Sequence, residues 1–168
     1  MGLGFGPFLL MIWGEALHRL PSRVTVVKAD PVAWGAGWID VLVGLDGSSE
    51  SLASAQQVLA KLGPAIGRIR LTSVLDHEMA NAAEVYELDD DRIRFLNDAA
   101  LTLGHADAEI SLVSGRPDKA LLEHATTNAF DLVVVAHRRH DIRGALRGST
   151  VARLARTAEL PVLIGPAI

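Results

Sequence analysis

The stretch "FDLVVVAHRRHDIRGALRGSTVARLARTAELPVLIG" (residues 130–165) holds an apolar run, a basic loop, a Gly-Ser-Thr turn, a helical pattern and a second apolar run. Residues 130–136 are apolar at almost every position, as expected of a strand covered on both faces near the centre of a parallel sheet. After the loop, Val151, Leu154, Ala155 and Ala158 recur at helical spacing. Residues 160–165 then read as a closing strand, with Pro161 tolerated at its start.

The same alternation runs upstream. "IDVLVGL" (39–45) is a strand that stops at Asp46-Gly47-Ser48, and Ser48 or Ser49 caps a helix with Glu50 near its positive end. Leu52, Ala55, Leu59 and Leu62 share one face of that helix, and Gly63-Pro64 ends it. Residues 68–75 form the second strand. A helix over 88–103 follows, with Ile93, Leu96, Ala100 and Leu103 on one stripe and Gly104 as its stop. Residues 108–115 give a third strand, and Pro117 opens a helix that buries Ala120, Leu121, Leu122 and Ala125. Strands alternating with helices, joined by right-handed crossovers, predict an α/β fold. The sheet is parallel, five-stranded, doubly wound and Rossmann-like, in the order 3-2-1-4-5. Ligands of such sheets sit at the carboxyl ends of strands where the winding reverses, which here brings Asp46 and the loop after Ala136 to one crevice.

Composition bounds the function. A chain of 168 residues, 49% apolar with mean hydropathy +0.27, suits one domain with a real core. A net charge of −4, with acids gathered at residues 86–91, argues against a nucleic-acid partner. The absence of cysteine removes disulfides, thiolate metal sites and a Cys nucleophile. The opening "MGLGFGPFLLMIWG" has an apolar stretch shorter than the roughly 18–20 residues of a membrane span and lacks a basic n-region, so a soluble, cytoplasmic protein is expected.

Three segments resemble the universal stress protein family: "VLVGLDGSSESLASAQQVLAKL" (41–62), "VSGRPDKALLEHATTNAFDLVVVAHR" (113–138) and "GSTVARLARTAELPVLI" (148–164). The likeness spans about residues 39–166 in the family's order. It implies a small, usually dimeric α/β domain associated with stress response, some members of which bind ATP. In those members the last loop follows Gly-x2-Gly-x9-Gly-Ser/Thr, and its amides meet the phosphates. Gly148 and Ser149 keep the end of that pattern and Thr150 follows, but Ala136 and Arg139 stand where the first two glycines fall. The loop is also one residue short. Ala136 adds only a methyl group, whereas Arg139 resists positive φ and fills space near the phosphates, or turns outward to pair with one. The helix start at Ser149 and Thr150 remains an anion site in outline.

By the same resemblance Asp46 contacts the nucleoside, and Gly44 and Val74 align with backbone contacts to the base. Asp46 equally suits a cap of the next helix or its turn, and Gly44 and Val74 suit ordinary strand chemistry better than contact with a base. His137, His140, Arg138, Arg139 and Arg143 form a basic loop too poor in carboxylates for a metal. "GLDGSS" is not a Gly-x-Ser-x-Gly elbow, so no catalysis is expected.

Residues 8–28, "FLLMIWGEALHRLPSRVTVVK", parallel residues 146–166 at an offset of 138, with Ala16 against Leu154 and Val24 against Val162. Residues 1–38 therefore form an arm and linker ahead of a domain at 39–168, the arm resembling the last helix and strand of a preceding copy. Strand 24–28 is expected to pair with strand 160–165, in its own chain or a partner's; the alternative is an irregular apolar arm over the sheet edge. Trp34 and Trp38 are placed against the domain. Two functions follow. The first is a non-catalytic stress-type module that works through homodimers and protein association, with a degenerate nucleotide site and no cofactor. The second is a regulatory module in which ATP, with Mg, orders residues 136–150. A small anionic ligand is a further option.

Overall fold

A computed structural model describes residues 25–27, 38–75, 82–136 and 150–165 of the chain. Its six strands are β1 (Thr25–Val27), β2 (Ile39–Gly44), β3 (Ile66–Leu75), β4 (Glu109–Ser114), β5 (Leu132–Ala136) and β6 (Val162–Gly165). Four helices join them: α1 (Ser49–Leu62), α2 (Ala82–Thr102), α3 (Pro117–Thr127) and α4 (Thr150–Thr157). The strand order is β1-β6-β5-β2-β3-β4. The last five are parallel and reproduce the expected order, since β2 lies between β3 and β5.

The five parallel strands of the domain are as expected, and the sixth strand belongs to the arm. β1 adds to the edge of β6 within the same chain, antiparallel, with Thr25 opposite Ile164, Val26 opposite Leu163 and Val27 opposite Val162. The arm is thus a strand here, and the irregular alternative is set aside. Its expected helix lies outside the described residues.

Alternating residues of each strand feed two apolar layers, because the side-chain period of a strand is two. On one face Val41, Val43, Leu71, Leu132, Val134 and Leu163 pack under α1 and α2, meeting Val58, Leu59, Leu96 and Ala99. On the other, Leu42, Val133, Val135, Val162 and Ile164 meet Leu121 and Ala125 of α3 and Val151 and Leu154 of α4. Each fully buried leucine contributes on the order of 1.5–3 kcal/mol, so α4 is anchored mainly by Leu154.

Three local expectations need correction. α2 starts at Ala82, six residues before the expected 88, because Ala82, Ala83 and Glu84 are good helix formers and the acidic run lies inside the helix. Of the expected stripe, Leu96 and Ala100 are buried and Leu103 packs against the core, but Ile93 is 41% exposed, while Ala99 is buried and Arg92 lies one turn ahead of Leu96. Trp38 does not pack against the domain as a whole; it is 66% exposed at the start of β2.

A polar lock holds the amino ends of the strands, far from the carboxyl edge. Asp40 accepts from the backbone N–H of Arg68 at 3.0 Å and from its Nε at 3.0 Å, while the Asp40 N–H donates to Asp131 Oδ2 at 2.9 Å. Arg68 lies 4.3 Å over the Phe130 ring. β2, β3 and the turn into β5 are thereby fixed at their starts.

Candidate functional site

The winding reverses between β2 and β5, whose carboxyl ends lie side by side with Gly44 opposite Val135. On its other side Gly44 pairs with Thr72, and β3 runs on from there through Val74 to Leu75, one wall of the crevice. Ala136 ends β5 opposite Gly165 of β6. Thr150 opens α4, which carries Val151 and Leu154 into the layer beneath. The fold therefore places Gly44, Asp46, Val74, Ala136 and Thr150 along the carboxyl edge. Arg139, Gly148 and Ser149, with the rest of the basic loop, lie outside the described residues.

Asp46 plays the capping part that its position allowed. Its Oδ1 accepts from the Ser48 N–H at 2.9 Å and from the Ser48 hydroxyl at 2.5 Å, closing a short turn. Ser48 is the N-cap of α1, and its Oγ accepts from the Ser51 N–H at 3.1 Å. One carboxylate oxygen is thus committed to setting the angle at which α1 leaves β2. That agrees with the capping reading of Asp46.

Gly44 owes its identity to packing. A Cβ there would stand 3.0 Å and 3.3 Å from the methyl carbons of Leu121 and 3.3 Å from Val135 Cγ1. α3 therefore lies close on the strand end, and a larger residue would need Leu121 and Val135 to give by a few tenths of an ångström. Val74 packs against the same layer as a strand residue.

The sequence reading missed Arg92. Its Nη1 donates to the Asp46 carbonyl, and the guanidinium lies over Gly47, where a Cβ would fall inside it. Gly47 also has φ +86°, so the backbone favours glycine there, and a Cβ would need the end of the Arg92 side chain to shift. A charged residue one turn ahead of Leu96 on the buried stripe of α2 was the available signal, and reading Ile93 into that stripe concealed it.

A second unforeseen group flanks the edge. Asp118, 1% exposed in the first turn of α3, is held by Arg116 through Nε–Oδ1 and Nη2–Oδ2 at 2.9 Å each, and by Arg153 Nε of α4 at 3.2 Å. Burial opposes its charge, but the two arginines outweigh it and hold the carboxyl below the ordinary aspartate value. The first turns of α3 and α4 are joined there. Deeper under α3, His124 Nε2 lies 3.2 Å from both Ser111 Oγ and Arg70 Nη1. Burial, aided by the Arg70 charge, pushes the His124 pKa down. Arg70 crowds the imidazole nitrogen that a Ser111 nucleophile would need, and Ser111 also shares a proton with Thr72 at 2.7 Å. Among the described residues there is no group of acids and histidines suited to a metal, and no helix long and apolar enough to cross a membrane.

Comparisons with known proteins fit this architecture. The family model described as the universal stress protein family matches residues 40–166. A solved universal stress protein in complex with cAMP is 29% identical and superposes with TM-score 0.62, covering 79% of this chain and 100% of that one. A protein of the same family from Burkholderia pseudomallei is 24% identical, with TM-score 0.55 over 80% of this chain and 100% of that one. A universal stress protein from Archaeoglobus fulgidus, 18% identical, matches with TM-score 0.54 over 95% of this chain and 56% of that one. The last two speak for the fold alone. No curated protein matches the sequence.

Proposed function

The chain belongs to the universal stress protein family, and from that membership we propose that it is a non-catalytic module which works by association through the β6 edge of its sheet. The observation that supports this reading is the antiparallel strand added to β6 in a sheet whose other pairings are all parallel. β6 ends the parallel part of the sheet and is buried on both faces, and the side it turns away from β5 takes an added strand, here β1. The residues at the crevice serve packing and capping: Gly44 seats Leu121, and Asp46 Oδ1 is engaged by Ser48. In this reading the role in stress response lies in what the edge assembles with. The test is sedimentation equilibrium across a concentration series, beside an assay of phosphate release from ATP with Mg. The mass rising from 17.9 kDa towards twice that value, with no phosphate release, supports the module. A strictly monomeric chain, or steady ATP turnover, refutes it.

A second reading is a nucleotide-responsive module. It is favoured by the cAMP held by a structure 29% identical to this chain. Gly44, Asp46, Val74, Ala136 and Thr150 line the edge where such a ligand would lie, and Arg139, Gly148 and Ser149 belong to the loop that would close on its phosphate. Arg139 in a glycine's place weakens phosphate contact by backbone amides and offers a guanidinium instead. Calorimetric titration with cAMP, and with ATP and Mg, decides it. Saturable heat that weakens in Gly148→Val supports the reading; no heat up to about 1 mM, or roughly −4 kcal/mol, removes it.

A further inference from the structure

We propose that Arg116 takes the phosphate of a nucleotide held in the crevice, through the edge of its guanidinium that Asp118 leaves open. The inference rests on the nucleotide-responsive reading above and names a phosphate contact outside the loop at 136–150.

The chain brings Arg116 to the carboxyl edge. The Gly115 N–H donates to the Leu75 carbonyl at 3.0 Å, so the turn out of β4 sits at the carboxyl end of β3, one wall of the crevice. Arg116 is the next residue and the N-cap of α3. An N-cap is ordinarily Ser, Thr, Asp or Asn, whose side-chain oxygen accepts from a first-turn N–H. Arginine carries no acceptor, and Arg116 makes no capping bond. Helix capping therefore does not account for this residue at this position, and departures of that kind gather at functional sites.

The guanidinium is held and only half used. Its Nε and Nη2 meet the two oxygens of Asp118 at 2.9 Å each, a fork that fixes the plane of the group. Among the described residues Nη1 has no partner, and the side chain is 52% exposed. Nη1 and the second N–H of Nη2 thus form an open edge, the shape that grips two oxygens of a phosphate. Asp118 also takes Arg153 Nε at 3.2 Å, on the same oxygen that accepts from Arg116 Nε. That shared oxygen brings the Arg116 guanidinium against the first turn of α4, which Thr150 opens at the carboxyl edge. Asp118 is a positioning residue here. Buried and bound from both helices, it sets Arg116 before a ligand arrives, so little side-chain freedom is lost on binding.

The experiment is calorimetric titration of the full chain with cAMP and with adenosine, which lacks the phosphate. The forms compared are wild type, Arg116→Gln, Arg116→Lys and Lys119→Gln. Lys119 is exposed in the same turn of α3, so its variant makes the same change of charge nearby. Arg116→Gln, folded by circular dichroism, is expected to weaken cAMP by about tenfold or more and adenosine by less than about twofold. Arg116→Lys should recover only part of that loss, because an ammonium cannot span two oxygens. Lys119→Gln should stay within about twofold of wild type for both compounds. Arg116→Gln equal to wild type overturns the contact and leaves the nucleotide reading standing. Equal losses in Arg116→Gln and Lys119→Gln also overturn it, since a general field then explains them. Equal losses for cAMP and adenosine overturn it as well, because they report a distorted crevice. If wild type takes up no cAMP at about 1 mM, both the contact and the nucleotide reading fall.

Discussion

Asp118→Asn tests whether the junction of α3 and α4 is held by charge. The side chain is 1% exposed and takes Arg116 at 2.9 Å twice and Arg153 at 3.2 Å. A hydrogen bond to a charged group is worth roughly 1.5–3 kcal/mol. Arg116 is 52% exposed and so discounts its pair to about 1 kcal/mol or less, whereas Arg153 at 29% is better shielded. Asparagine keeps one acceptor and the shape. The expected loss is therefore about 2 kcal/mol near pH 7, or roughly 4–8 °C in Tm for a domain of this size. The pH dependence follows from the lowered pKa. Because the folded value lies below the ordinary 3.8, the carboxylate stabilises the fold above that pH, and this contribution fades as pH falls through the folded pKa. Urea unfolding of wild type and variant at several pH values should show a gap that is full at neutrality and closes in acid. A variant within about 0.5 kcal/mol of wild type at pH 7 would refute the charge account, as would a gap that persists unchanged in acid.

Other consequences are equally concrete. His124 has its pKa pushed below 6.5, so the unfolded chain takes up a proton first as pH falls and the fold loses stability below about that value; His124→Gln should flatten this part of the stability–pH curve. Leu154→Ala should cost about 2–5 kcal/mol in chemical denaturation, since the side chain is fully buried and anchors α4. Gly47→Ala should cost more than about 1 kcal/mol, and pairing it with Arg92→Ala should recover only the steric part, because φ +86° stays unfavourable for alanine.

The fold was legible because period and punctuation agreed. The run at 130–136, the turn at Asp46-Gly47-Ser48 and the stop at Gly63-Pro64 each announce an element by local chemistry, and parallel sheets leave few ways to connect them. The edges of helices were less legible. Nothing in the acidic run Glu87–Asp91 separates the start of a helix from its middle, and Ile93 looked like core until the packing gave that place to Arg92. Of the candidate site, Asp46 was found by position, while its bond to Ser48 is a local contact that either role permitted. Asp118 and Arg153 stand 35 residues apart, and no spacing rule joins them. The arm's strand was readable from its likeness to β6, but whose β6 it meets is a tertiary matter.

Deuterium uptake at β1 and β6, compared at low and high protein concentration, tests the central claim most directly. Association through this edge predicts that, as the mass doubles, protection changes at residues 25–27 and 162–165 and stays unchanged along β4 at the opposite edge. A doubled mass with protection unchanged at residues 25–27 and 162–165, and new protection along β4, would contradict it.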